Sequence, residues 1–202
     1  MPSETFYRLP ESKQERILNV LKDEIARSSY EDFSIGTVLR ESGISRGSFY
    51  QYFHNKEEIF LYFLAGYQKS ILSHANVSLE KHSGDFFESF LDTYRYAVRM
   101  LCYKDSRAFR HNLFCNLELH EKLWKHTDQI EECCRSIRTF LDSVDLDLLT
   151  VNSREELRTL ADICFVCAVK DSSGLLLADD SEEKAVQKFT EKFTLLRRAY
   201  SA

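Results

Sequence analysis

Gly43 lies between two helix-start signals, Ser34 and Ser45, and this spacing restricts the first sixty residues more than any other feature of the chain. A serine hydroxyl that accepts a backbone N–H two or three residues on starts a helix, and a glycine that takes a left-handed conformation ends one. The helix predicted after Ser34 turns Ile35, Val38 and Leu39 inward and stops at Gly43. The next begins at Ser45, with Ile44 just before the cap and Phe49 four positions in, where a hydrophobic staple closes. Phe49 and Phe53, one turn apart, form its inward side and leave Arg46, Gly47, Tyr50 and Gln51 opposite. Upstream, Ser12 and Glu15 read as a capping box ahead of the apolar set Ile17, Leu18, Leu21 and Ile25, predicting an earlier helix to about Arg27. Two short helices joined by a tight glycine turn make a helix-turn-helix.

In such a unit the second helix enters the DNA major groove, with its first residues over base edges and phosphates. Arg46 suits guanine or a phosphate, Gly47 lets the backbone come close, and Tyr50, Gln51 and Tyr52 offer hydrogen bonds. Asn55 caps a fourth helix, with Glu58 completing a box-like pair. Lys56 then stands at the positive end of the helix dipole, a place that calls for an anion such as a phosphate. Charge agrees with a local contact. The chain carries −5 overall, yet its first 56 residues balance eight basic against eight acidic groups, and Ser34 to Lys56 holds Arg40, Arg46 and Lys56 against Glu41 alone.

With 202 residues, two prolines, six glycines and apolar residues mostly three and four apart, the chain is expected to be all-α. No apolar run approaches the roughly 18 residues a membrane span needs, and "MPSETFYRLPESKQ" lacks a signal peptide's apolar core, so a cytoplasmic protein with no membrane partner is expected. The cysteines Cys102, Cys115, Cys133, Cys134, Cys164 and Cys167 read as reduced, mostly buried small hydrophobes. Neighbours Cys133 and Cys134 diverge on a helix, and Cys164 with Cys167 lacks two further ligands, so neither a metal nor another cofactor is expected. "HEKLW" at His120 starts like a zinc-protease motif, but Trp124 stands where the second histidine belongs. With no phosphate loop or nucleophile elbow either, an enzyme is not expected.

Gly43, Ser45, Gly47, Tyr50, Phe53, Lys56 and Glu57 resemble the signature of the TetR family of bacterial transcriptional regulators, over residues 12 to 64. The sequence departs from it at Leu39 and Ser42, where alanines are usual, at Tyr52 for a histidine, and at Ser29 for a glycine. The resemblance implies phosphate or base contacts by Ser34, Thr37, Ser45, Arg46, Gly47, Ser48, Tyr50, Gln51, Tyr52 and Lys56. It also implies a DNA-binding domain over 1–55, joined by a continuous helix to a larger helical ligand-binding and dimerisation domain over 56–202.

Beyond the fourth helix, Ser83-Gly84-Asp85 breaks the pattern and caps a helix whose apolar face holds Phe86, Phe87, Phe90, Tyr94, Val98 and Leu101. Phe109, Leu113, Phe114, Leu117 and Trp124 follow. Such aromatic density lines apolar pockets and also fills ordinary cores. Phe90, Tyr94, Asn112, Asn116, His120 and Trp124 are the candidate ligand contacts. A further apolar set runs from Leu157 through Leu160, Ile163, Cys164, Val166 and Cys167 to Leu175, Leu176 and Leu177, and Ser181 starts a last helix. Asp179, Asp180, Glu182 and Glu183 at that start read as dipole partners rather than metal ligands. The resemblance implies that the last two helices pair with a second copy, making a homodimer that reads a palindromic operator in double-stranded DNA and is released by a small-molecule effector. A helical protein-interaction module without sequence-specific DNA binding is the alternative.

Overall fold

The computed structural model describes residues 2–103, 107–115, 127–177 and 180–202. Among them run ten helices: α1 (Glu4–Tyr7), α2 (Glu11–Arg27), α3 (Ile35–Ser42), α4 (Arg46–Tyr52), α5 (Lys56–Lys81), α6 (Phe86–Tyr103), α7 (Arg107–Phe114), α8 (Thr127–Asp142), α9 (Arg154–Leu177) and α10 (Glu182–Tyr200). The all-α expectation holds for them, and the only extended pairing described is an isolated bridge between Leu149 and Ser201. No described helix is long and apolar enough to cross a membrane.

Packing divides the chain into two compact units, Met1–Tyr67 with Asp105–Gln129, and Gln68–Lys104 with Ile130–Ala202. The packing boundary thus falls inside α5, not at the expected 55/56 boundary, which lies in the loop just before that helix. Arg107–Phe114, expected in the second domain, packs on α2 in the first unit. The cause is apolar. Phe109 and Leu113 are fully buried with Ile17, Leu21 and Ile25 of α2 and with Ile59, Phe60 and Phe63 of α5, and Phe63 meets Phe109 edge to face at 5.5 Å.

Local start signals explain most boundaries in the first unit. Ser34 and Ser45 accept from the N–H groups of Thr37 and Ser48 at 3.2 and 3.1 Å, and Gly43 ends α3 at φ 67°. The Ser12/Glu15 capping box does not form: α2 begins earlier, behind Pro10, whose carbonyl takes the N–H groups of Lys13 and Gln14. A proline with φ already near the helical value starts the turn without a side-chain cap. Ser42, where the family has alanine, is buried and satisfies its hydroxyl on the Val38 carbonyl at 2.6 Å.

In the second unit, α6 and α10 are joined by interleaved rings: Phe87 with Phe193, Phe90 with Phe189 and Phe193, and Tyr94 with Phe189 at 4.0 Å. Leu157, Leu160, Cys164 and Leu175 supply the inner face of α9. Burial and neighbouring Cys167 push the Cys164 thiol up to about 12, so it stays protonated and inert. The α5–α6 turn takes positive φ at Ser83 (53°) and Gly84 (85°), and Asp85 caps α6 by accepting the Glu88 N–H at 2.9 Å. A Cβ on Gly84 would meet that of Asp145 at 3.0 Å, so the turn needs glycine for space as well as for φ.

Candidate nucleic-acid interface

The α4 helix is held from below by Phe49 and Phe53, both fully buried, with Ile44 buried beside them at the staple position. Its other side is open. Arg46, Gly47 and Gln51 are exposed, Tyr50 is 40% exposed, and the Arg46 guanidinium lies 5.7 Å over the Tyr50 ring. This pairing presents a cation and a phenol hydroxyl together, a combination suited to a phosphate or a base edge. Ser45 and Ser48, one turn apart, share a hydroxyl contact of 2.9 Å at the start of the same helix. Ser34 and Thr37 are half-buried at the start of α3. Eight of the ten expected DNA residues are therefore gathered at the starts of α3 and α4 and along one face of α4.

Two are placed differently. Tyr52 is only 5% exposed and packs edge-on against the Phe6 ring at 6.0 Å, so it belongs to the core rather than to the open face. Its position, two residues from Tyr50, turns it about 200° around the helix. Lys56 is also engaged: its ammonium donates to the carbonyls of Tyr30 (2.8 Å) and Glu31 (3.2 Å) and sits 4.5 Å over the Tyr30 ring. The ammonium at the positive end of α5 is thus engaged by two carbonyls and a ring instead of standing open for an anion. Asn55 does cap α5, accepting from Glu58 N–H at 2.9 Å, but the Glu58 carboxylate takes the N–H of His54, one residue upstream of the expected partner.

The N-terminal segment adds what the sequence reading missed. Ser3 caps α1, and its backbone N–H and hydroxyl donate to the carbonyls of Tyr52 (3.0 Å) and Gln51 (2.5 Å), satisfying the end of α4. Phe6 is fully buried, 5.1 Å from the Phe53 ring. Ser3 followed by Glu4 and Phe6 is a readable cap with an apolar anchor, but its partner lies almost fifty residues away.

Of the ligand candidates, the described residues Phe90, Tyr94 and Asn112 each have a structural role within their own unit. Phe90 stacks on Phe189 and Phe193, and the Tyr94 hydroxyl donates to the Ala185 carbonyl and accepts from Ser172, both at 3.3 Å. Burial pushes that phenol up. Both residues serve the α6–α9–α10 core. Asn112 belongs to the other compact unit, where its amide donates to the carbonyls of Ile25 (2.7 Å) and Ser28 (3.0 Å). Asn116, His120 and Trp124 lie outside the described residues. At the start of α10, Asp180 takes the ammonium groups of Lys184 (2.5 Å) and Lys188 (2.6 Å), an ion-pair role, while Asp179 lies outside the described residues.

The apolar set of α9 splits into two faces. Opposite the buried one stand Ile163, Phe165, Val166, Val169 and Leu177, all but Ile163 more than half exposed. On α10, Val186, Thr190, Thr194 and Leu195 line an open groove with Arg198.

Comparison with known proteins bears on both halves of the chain. Residues 17–63 match the family described as "Bacterial regulatory proteins, tetR family", and residues 85–198 match "Tetracyclin repressor-like, C-terminal domain". A curated relative, the "Uncharacterized HTH-type transcriptional regulator YuxN" of Bacillus subtilis (strain 168), is 27% identical over 156 residues. That match covers 76% of this chain and 50% of the relative, so the chain spans about half the length of the protein it matches. Among solved structures, the transcriptional regulator FadR of Bacillus subtilis in complex with stearoyl-CoA shares the fold with a TM-score of 0.61 at 16% identity, over 90% of this chain and 96% of that one. SmeT, the repressor of the Stenotrophomonas maltophilia multidrug efflux pump SmeDEF, does so with a TM-score of 0.60 at 13% identity, over 93% and 90%. A capped α3, a left-handed glycine, an open α4 face and two family matches lead to one assignment: the chain belongs to the TetR family of helix-turn-helix, DNA-binding transcriptional regulators.

Proposed function

We propose that this regulator is a repressor that binds a palindromic operator as a homodimer and leaves it when a small molecule binds. The observation that carries the reading is the open α4 face, where Arg46, Tyr50 and Gln51 stand clear of a core fixed by Phe49 and Phe53. Ser34, Thr37, Ser45, Arg46, Gly47, Ser48, Tyr50 and Gln51 are the proposed contacts. One helix-turn-helix makes few base contacts, so tight site-specific binding calls for two half-sites read together. The exposed apolar face of α9 and the groove on α10, where Val186 and Leu195 stand among polar and charged residues, support a pairing surface. SmeT supports the repressor role, and the stearoyl-CoA complex of FadR supports a small-molecule effector. Within the C-terminal match, Asn116, His120 and Trp124 remain the proposed effector contacts. For release, the effector must prefer the form unable to bind DNA; a tenfold loss of affinity takes about 1.4 kcal/mol of coupling.

Selection from random duplex DNA at roughly physiological salt tests this. Wild type is expected to enrich a palindrome that fades with Arg46→Ala and with Tyr50→Ala, while both variants keep the wild-type melting temperature. Enrichment of nothing, or equal enrichment by all three proteins, would remove the groove assignment and favour a helical protein-interaction module.

A further inference from the structure

The loop between α2 and α3, residues 28–34, is gripped at its backbone by side chains from three different helices. From α7, the Asn112 amide donates to the Ile25 and Ser28 carbonyls at 2.7 and 3.0 Å, closing the C-terminal end of α2. From the first residue of α5, the Lys56 ammonium donates to the Tyr30 and Glu31 carbonyls at 2.8 and 3.2 Å and covers the Tyr30 ring. From α2 itself, the buried Glu24 carboxylate accepts the Ser34 N–H at 3.0 Å, the residue whose hydroxyl caps α3. All three helices meet the loop within one compact unit. Loops normally leave such groups to water, so a loop held at its beginning, middle and end by built-in donors and an acceptor is a fixed spacer. Its far end is the start of the helix-turn-helix.

We infer that Lys56 and Asn112 are positioning residues for operator binding, setting where α3, and with it α4, stands on α2. The inference rests on the operator-binding reading. It assigns Lys56 to carbonyls instead of phosphate and Asn112 to the α2 terminus instead of an effector. Asn112 also lies within the residues of the C-terminal family match, so that segment contributes a side chain directly to the packing of the DNA-binding unit.

The test measures operator affinity across a salt series, together with amide hydrogen exchange of residues 28–34, for wild type, Lys56→Met, Lys56→Arg, Asn112→Ala and Asn112→Asp. Asn112→Asp keeps the size and removes the N–H donors, standing in if the alanine variant does not fold. Lys56→Met and either Asn112 variant are expected to lower affinity by about tenfold, to leave the slope of log affinity on log salt unchanged, and to speed exchange in the loop. Lys56→Arg, which can still donate to both carbonyls, restores affinity. A slope smaller by about one in Lys56→Met would make Lys56 a phosphate contact and overturn its part. Unchanged affinity and exchange in both Asn112 variants would overturn that of Asn112. Should wild type itself retain no duplex, operator binding fails separately, and exchange alone decides the grip: faster exchange upholds it, unchanged exchange refutes it.

Discussion

Glu41 is an exposed side chain on α3, yet its carboxylate receives both arms of the Arg27 guanidinium, at 3.0 and 2.7 Å, while Arg27 also reaches Glu24 at 3.2 Å. The Arg27 hydrogen bonds hold the Glu41 carboxyl below the usual glutamate range. A carboxylate whose affinity for protons is lowered by folding stabilises the fold above its unfolded pKa, about 4.3, and that stability is lost as pH falls through the folded value. Glu41→Gln is therefore expected to lower the urea midpoint slightly at pH 7, to leave it unchanged near pH 3, and so to flatten the acid limb between about pH 5 and pH 3. A variant with the wild-type slope would count against the pairing. At this scale the caps were legible, because Ser34, Ser45 and Ser181 each act on an N–H three residues away. Tyr52 was not: whether it faces groove or core depends on Phe6, a residue no local pattern connects to it.

Among the elements, the α3–α4 turn depends on one backbone conformation. Gly43 holds φ 67° with no atom within 4 Å of where a Cβ would stand, so a side chain there meets only the intrinsic strain of the left-handed region. Gly43→Ala is expected to cost about 1 kcal/mol in chemical denaturation and to weaken operator binding in proportion to the displaced α4. A neutral result would mean that the turn relaxes without moving the helix. The pattern of starts and stops made α3, α4, α5 and α10 readable, since the competing choices were local. Other elements escaped it, α1 and α7 among them. α1 has four residues, too few for periodicity, and α7 carries an apolar face that fits either unit until Phe63 and α2 are in place.

For the molecule as a whole, the outer face of α9 decides whether one copy suffices. Apolar residues at Ile163, Val166 and Val169 recur at helical spacing on the side away from the core, a pattern the sequence displays but cannot divide into inner and outer without the partner rings of α6 and α10. The double substitution Val166→Glu with Val169→Glu is expected to convert a dimer to a monomer in sedimentation velocity at micromolar concentration and to abolish palindrome binding while leaving helical content intact. An unchanged dimer would move the pairing surface elsewhere. What sequence alone could not supply was the site for an effector, because Phe90 and Tyr94 look the same as pocket lining and as core until their neighbours are known.

Under the proposed pairing, the two-faced α9 would tie the regulator's lifetime to its abundance. A protomer without a partner exposes Phe165, Val166 and Leu177 in a single stretch of chain, the kind of apolar patch that chaperones and proteases engage. Scarce copies of such a dimer would then be cleared faster than plentiful ones. A cell that dilutes a dimeric repressor of the proposed kind by growth would lose it sooner than dilution predicts, and the switch from silent to expressed genes would sharpen with no change in affinity for DNA.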